Sequence, residues 1–486
     1  MTVAIAPCPV QTVCVLGLGY IGLPTAAMLA THGFRVTGVD VNPAVRDAIR
    51  EGSANLREPG VGAVVQRALQ SGSLTIASEP EPADVFILAV PTPLAQRALA
   101  PNGEWALTDG GAAPVRAEAD LSFVAAAAEA TVPHLRPGAL VVLESTSPPG
   151  TTAHLVRHIL ESSGLSAGED FSLVYCPERV LPGRILIELV HNSRVIGGID
   201  LASAERARDL YASFVEGEMV LTDTTTAEMV KLMENTYRDV NIALANEFAL
   251  VSEEVMTDVW EAIAIANRHP RVNILNPGPG VGGHCIAVDP LFIVEAAPER
   301  ARLIRTAREV NDAQPGHVVE AVRRSVADLP HPTIAVLGLA YKADVDDLRE
   351  SPALHVAQLL GEHGCTVRLH DACAQRLPDG TALEPDLRTV LAGADAAVIL
   401  TDHSVYRQLK PGDAGPLAMA HRRLTDTRRC IDHALWEREG FVVHQLGVGA
   451  RPGASWRGEG SSAPAPALPV RAGWWPSAHR ARSAER

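Results

Sequence analysis

Aromatic residues are scarce, at 4% of 486 residues, so the core must rest on Ala, Val, Leu and Ile. The cysteines are few and unmatched. Seven are scattered along the chain (8, 14, 176, 285, 365, 373 and 430), with no Cys-x-x-Cys pair. That excludes a disulfide framework and a zinc site and fits a reducing compartment; no metal is expected. Positive charge is in deficit, with 42 Lys and Arg against 57 Asp and Glu, a formal net charge of −15. A nucleic-acid or membrane-surface role is therefore excluded, and any phosphate ligand must find local Arg and Lys. No apolar run is long enough to span a bilayer, and the N-terminus lacks the basic-then-apolar signature of a signal peptide. The expected location is the cytoplasm.

What is present is an α/β rhythm. Thr12–Leu16 reads as a buried strand, followed by a glycine turn, an apolar helix ending near His32, and a second strand, Arg35–Val39. That is a βαβ unit. Apolar runs recur at Val85–Val90, Leu140–Leu143 and Leu173–Tyr175, separated by helical stretches. From Thr225 to Asn267 the pattern changes to long helices, and from Thr333 strand-like runs return (Thr333–Leu337, Thr366–Leu369, Ala396–Leu400). The expected fold is two Rossmann-like doubly wound parallel-sheet domains joined by a central long-helix region. The expected boundaries are 1–215, 216–315 and 316–450, with a Pro-, Ala-, Ser- and Arg-rich disordered tail at 451–486. The stretch 94–117 reads as a surface loop.

Gly17-Leu18-Gly19-Tyr20-Ile21-Gly22 follows the first strand and opens a helix. The glycines permit a tight turn and close approach of a pyrophosphate, which the helix N-terminus attracts. Asp40, at the end of the second strand, is placed to accept ribose hydroxyls and to repel a 2′-phosphate. NAD is therefore the expected cofactor.

Glu228–Glu254 reads as one long helix on which Lys231, Asn235 and Arg238 share a face. On an isolated helix such a stripe is more often solvated; the Ala-rich surroundings favour a buried role here. Cys285 follows Gly278, Gly280, Gly282 and Gly283 and precedes a helix-like run, Ile286–Ala296. The glycines suggest close approach of a ligand to the thiol. A thiol at a helix N-terminus beside a cation is expected to have a lowered pKa and to attack as thiolate. Its bland alternative is a small buried hydrophobe. His284 reads as a packing or ligand-contact residue.

In combination these motifs resemble the nucleotide-sugar 6-dehydrogenase family, from about Thr12 to Trp436. Also shared are Val90-Pro91-Thr92-Pro93, Glu144-Ser145-Thr146-Ser147-Pro148-Pro149-Gly150 and 341–352. At Cys176–Gly183, Arg179 and Pro182 stand where the UDP-glucose and GDP-mannose enzymes carry Phe and Glu. The pattern is similar to the UDP-N-acetylhexosamine branch, nearest to the UDP-N-acetyl-D-mannosamine enzymes, with UDP-N-acetylglucosamine as rival substrate and UDP-glucose less favoured. The resemblance implies that Tyr20, Ile21, Asp40, Thr92, Thr146 and Arg349 contact NAD. It implies that Arg179, Val180, Lys231, Asn235, Arg238, Gly282, Tyr341 and Lys342 hold the UDP-sugar, and that His269 and Arg271 reach it across a homodimer formed by the central helices. Cys285 would be the nucleophile, with Lys231 and Asn235 stabilising oxyanions and Glu178 and Asp289 assisting proton transfer or hydrolysis. The implied reaction is a two-step oxidation to a carboxylate through a thioester.

Overall fold

The computed structural model describes residues 12–52, 58–94, 119–180, 183–283, 285–412 and 419–449. Residues 95–117 of the expected loop, the expected tail and His284 lie outside them.

The first sheet comprises β1 (Thr12–Leu16), β2 (Arg35–Val39), β3 (Leu74–Ala77), β4 (Val85–Leu88), β5 (Leu140–Leu143), β6 (Ser172–Tyr175), β7 (Arg194–Gly198) and β8 (Met219–Asp223). Their spatial order is 3-2-1-4-5-6-7-8. β4 and β5 are wholly buried, as their unbroken apolar sequences require of strands covered on both faces. The order reverses between β1 and β4, so the carboxyl ends of these strands frame a crevice. The sheet is not parallel throughout, because β7 runs against β6. Its last strand lies beyond residue 215.

The second sheet comprises β9 (Thr333–Leu337), β10 (Thr366–His370), β11 (Ala396–Ile399), β12 (Arg423–Asp426) and β13 (Val442–Gln445). The order is 10-9-11-12-13 and every pair is parallel.

The central helix runs Thr224–Glu254 and begins four residues before its expected start at 228. The Thr residues there are poor helix formers, but Asp223 caps the end by accepting the Thr226 N–H at 2.9 Å. Against this helix packs Arg302–Ser325, which tolerates an internal, buried Pro315. A short helix, Asp289–Ala296, buries Phe292 completely beside Leu232, a contact worth about 2 kcal/mol per side chain.

Candidate active site

The first glycine turn fits a dinucleotide. Gly17 takes φ +93°, and a Cβ there would sit 2.5 Å from the Ala89 carbonyl oxygen. A Cβ on Gly22 would meet the Gly17 carbonyl at 1.9 Å, so the turn closes only with glycine at both places. Gly19 faces open space. No side chain caps the Gly22–Thr31 helix, which leaves its first N–H groups for an anion. Asp40, expected to meet a ribose, accepts the Leu18 N–H at 3.0 Å and so pins the turn to β2. Tyr20 donates its hydroxyl to Glu58, whose carboxylate also accepts the Gly183 N–H at 2.8 Å. Thr92 Oγ1 donates to the Thr146 carbonyl at 2.7 Å and ties two strand-end turns together.

Lys231 and Asn235 are buried on one face of the central helix. Lys231 Nζ donates to the Glu178 carbonyl at 2.7 Å and to its carboxylate at 2.9 Å. Burial works against the ammonium charge, but Glu178, Asp289 and Cys285 outweigh it and hold the Lys231 pKa above its ordinary value. Asn235 donates to Asp289 and accepts from Arg238. Asp289 is pushed up to about 6 by burial, against the opposing pull of Lys231 and Asn235.

The Cys285 loop departs from the sequence expectation in three ways. The helix begins at Asp289 rather than 286. Residues 285–288 form a turn in which the Cys285 carbonyl accepts from Val288 and Asp289, so the thiol does not sit on the helix end. Nor is the thiol acidic: burial and the Asp289 charge push it up to about 12, and Lys231 only partly offsets them because its ammonium is engaged with Glu178. Finally, the glycines make room for protein. Where a Cβ on Gly282 would lie are the Glu350 carbonyl, at 2.5 Å, and Pro352. Gly283 would strike the Tyr341 ring at 2.9 Å, and Gly278 would strike Arg428 at 2.3 Å. The segment 341–351 is thereby pressed onto the loop, and Gly283 N–H donates to the Arg349 carbonyl at 3.1 Å. Arg349 itself is paired with Asp347 at 2.6 Å and half exposed.

A cleft of about 420 Å³ opens beside Lys231, lined by Arg179, Val180, Glu188, Asn192, Ser193, Glu234 and Arg238. Arg179 spans its wall, paired with Glu234 and donating to the Ser193 carbonyl at 2.8 Å. Lys342 is exposed. His269 and Arg271 are exposed on the turn after the Val259–Ala266 helix.

Three consecutive family models match the chain. They are the NAD-binding (11–215), central (225–313) and UDP-binding (335–433) domains of the UDP-glucose/GDP-mannose dehydrogenase family. The chain belongs to this family. It is 46% identical over 448 residues to the UDP-N-acetyl-D-mannosamine dehydrogenase of Methanococcus maripaludis, covering 91% of this chain and 98% of the relative. It is 47% identical to an NDP-N-acetyl-D-galactosaminuronic acid dehydrogenase of Ralstonia nicotianae, covering 82% and 92%. Its fold matches the structure of UDP-D-ManNAc dehydrogenase from Pyrococcus horikoshii with a TM-score of 0.81 at 40% identity, over 90% of this chain and 100% of that one. Members of the family are NAD-dependent nucleotide-sugar dehydrogenases, and NAD is the cofactor of this chain. Among the described residues, no helix is long and apolar enough to cross a membrane.

Sequence reasoning passed over Glu234 and Glu58. Glu234 lies one turn before Arg238 on the same helix, so its spacing was a usable signal; nothing local marks Glu58, which meets Tyr20 only through the fold. Glu144 was quoted only as part of its motif. It is fully buried with Arg194 at 3.6 Å and Tyr211 at 2.9 Å beneath the strand ends.

Proposed function

We propose that this chain oxidises the C6 hydroxyl of UDP-N-acetyl-D-mannosamine to the carboxylate, with two NAD reduced per sugar. The single observation that carries this reading is the gathering of Lys231, Asn235, Glu178 and Asp289 around a partly exposed Cys285, in a chain with an open glycine turn for NAD. NAD, when bound, supplies the hydride acceptor for each of the two steps.

The protein's own groups do the rest. Lys231, with Asn235, stabilises the oxyanion that develops at C6 and assists proton movement. The resting Cys285 thiol must lose its proton as it adds to the aldehyde, and Asp289, whose charge is felt at the thiol, is the base that receives it. The thiohemiacetal is then oxidised to a thioester. Water, activated by Asp289 or Glu178, releases the acid and regenerates the thiol. The cleft beside Lys231 is the seat we assign to the sugar, walled by Arg179, Val180 and Arg238. Tyr20, Ile21, Asp40, Thr92 and Thr146 serve NAD, joined by Arg349 from the C-terminal lobe. Tyr341 and Lys342 face the UDP-sugar, whereas Gly282 is packed against Glu350 and Pro352. Residues 1–215, 216–315 and 316–450 divide these tasks.

A homodimer is part of the reading. Met233, Tyr237, Leu244, Phe248 and Val251 are exposed at helical spacing on the central helix, an apolar stripe that a second copy would cover. His269 and Arg271 are then free to reach a neighbouring site. The described cysteines are all free, which accords with a reducing cytoplasm.

The test is turnover with NAD on UDP-ManNAc, UDP-GlcNAc, UDP-GalNAc, UDP-glucose and GDP-mannose. UDP-ManNAc should lead, with two NADH per sugar. A stoichiometry of one, or a lead for another sugar, overturns the mechanism or the substrate respectively.

A further inference from the structure

Behind the turn that follows β9, which opens with Gly338 at φ +85°, Asp371, Cys373 and His403 bring one donor atom each within 4.8 Å of one another. The grouping resembles a metal site, but its atoms are already spoken for. Asp371 Oδ2 accepts the Leu339 N–H at 2.6 Å and the Ala340 N–H at 3.0 Å. Its Oδ1 accepts from Cys373 and Ala374, both at 2.8 Å. His403 completes the bracket. Its Nδ1 accepts the Asp344 backbone N–H at 2.9 Å, so the ring proton must lie on Nε2, which donates to Asp371 Oδ2 at 3.1 Å.

We propose that His403 is a positioning residue: its Nδ1 holds the segment 341–351 against the Cys285 loop. The proposal rests on the functional reading above, in which Tyr341, Lys342 and Arg349 serve the substrate and cofactor.

Four observations support it. The imidazole is 0% exposed, so it has no aqueous function of its own. Tyr406 meets it edge-on at 5.5 Å and fixes its ring plane. The segment is held in an unfavourable shape: Asp344 and Glu350, neither of them glycine, take φ +60° and +48°. Such a backbone persists only where bonds fix it. At Asp344 those bonds are His403 Nδ1 and Ser404, whose N–H donates to the carboxylate at 2.8 Å and whose hydroxyl donates at 2.6 Å. Both ends of the segment, on either side of Asp344, touch the Cys285 loop: the Tyr341 ring lies against Gly283, and the Arg349 carbonyl accepts the Gly283 N–H. His403, held in its pocket by packing, thus fixes through Nδ1 the piece of chain that packs onto the Cys285 loop.

Two substitutions separate the contacts of the ring's two nitrogens, Nδ1 with Asp344 and, at 3.7 Å, Cys373 Sγ, and Nε2 with Asp371. His403→Asn keeps an acceptor where Nδ1 was and gives up the tie to Asp371. His403→Gln keeps a donor where Nε2 was and gives up the tie to Asp344. Alkylation of Cys285 by iodoacetamide, read by mass spectrometry at that residue, reports how well the loop is covered whatever the substrate is. Expected for His403→Gln is alkylation about five- to tenfold faster, the worth of one buried hydrogen bond, and a UDP-ManNAc KM raised by a similar factor with kcat less affected. His403→Asn should stay within about twofold of the parent in both. Equal behaviour of the two variants, or unchanged Cys285 reactivity in His403→Gln, overturns the proposal. Failure of the functional reading would show instead as absent UDP-ManNAc turnover in the parent while the alkylation pattern stands. If His403→Gln does not fold, Ser404→Ala on the exposed rim removes the hydroxyl bond of the parallel tie. It is expected to speed Cys285 alkylation about twofold, and no change there overturns the proposal equally.

Discussion

The two sheets each begin with a strand, a left-handed glycine and, at the end of the neighbouring strand, an aspartate that accepts backbone N–H groups from the turn. Gly17 and Asp40 do this in the first lobe, Gly338 and Asp371 in the second. Beyond the glycine the two lobes part. In the first lobe the helix starts at Gly22, five residues after Gly17, and Gly19 faces open space. In the second it starts at Pro352, fourteen residues after Gly338, although the two left-handed glycines are themselves equally crowded, by Ala89 at 2.5 Å and Thr401 at 2.7 Å. Asp40 is half-buried and keeps acceptor capacity for a ligand; Asp371 is buried and closed off by His403. One backbone device therefore serves two ends. It is short and open in the NAD-binding domain, and lengthened and sealed where a segment packs onto the Cys285 loop.

The comparison can be broken most forcefully at Cys285, on whose loop the second lobe's segment packs. Cys285→Ala should lower acid formation by at least about a thousandfold while NAD and UDP-ManNAc still bind, as titration calorimetry would register. Continued acid production would remove the reason for the second lobe's long segment.

Next in size is a contrast of aspartates. Asp371→Ala leaves several buried donors unmatched and is expected to cost about 3–5 kcal/mol in urea unfolding. Asp40→Ala should cost only about 1 kcal/mol yet raise the NAD KM more than tenfold. Equal stability losses would mean that the two turns are not differently used.

A third test uses pH. Burial opposes the charge on Asp371, but His403 and the N–H groups of Ala374 and Cys373 hold its pKa below the ordinary range. Its contribution to stability is present above pH 4 and is lost as pH falls through that depressed value. Asp289 is the reverse case: with its pKa raised to about 6, folding is favoured while it is protonated, and that stability is lost as pH rises through 6. Asp289→Asn should thus be more stable than the parent by about 1–3 kcal/mol at pH 8 and equal to it near pH 3.5, whereas Asp371→Asn should be less stable at pH 8. In the parent, kcat/KM should fall as pH drops below about 6 as the base is protonated. A profile flat to pH 5 would rule out Asp289 as that base.

The smallest effect sharpens the contrast of the glycines. Gly19→Ala should leave thermal stability within about 0.5 kcal/mol and weaken NAD binding by contact alone. Gly338→Ala should cost several times more, from the clash with Thr401 and the positive φ.

Much of this was legible beforehand because it was periodic. β4 and β5 announced themselves as apolar runs, and Lys231, Asn235 and Arg238 share a face because an α-helix repeats every 3.6 residues. The start of the central helix was missed because the capping aspartate acts through geometry that propensity does not encode. The roles of the four glycines were misread for a similar reason. Sequence marks a need for no side chain, but not whether ligand or protein fills the space.

The order of residues alone determined the two αβ lobes and the glycine turn that opens the first, because strand, helix and glycine turn are local solutions to backbone hydrogen bonding and steric limits. Only the tertiary structure decided that Cys285 rests as a thiol, that Lys231 is tied to Glu178, and that the second turn anchors a segment over the loop. Those properties come from burial and from charges far apart in the chain, and neither exists until the lobes are packed together.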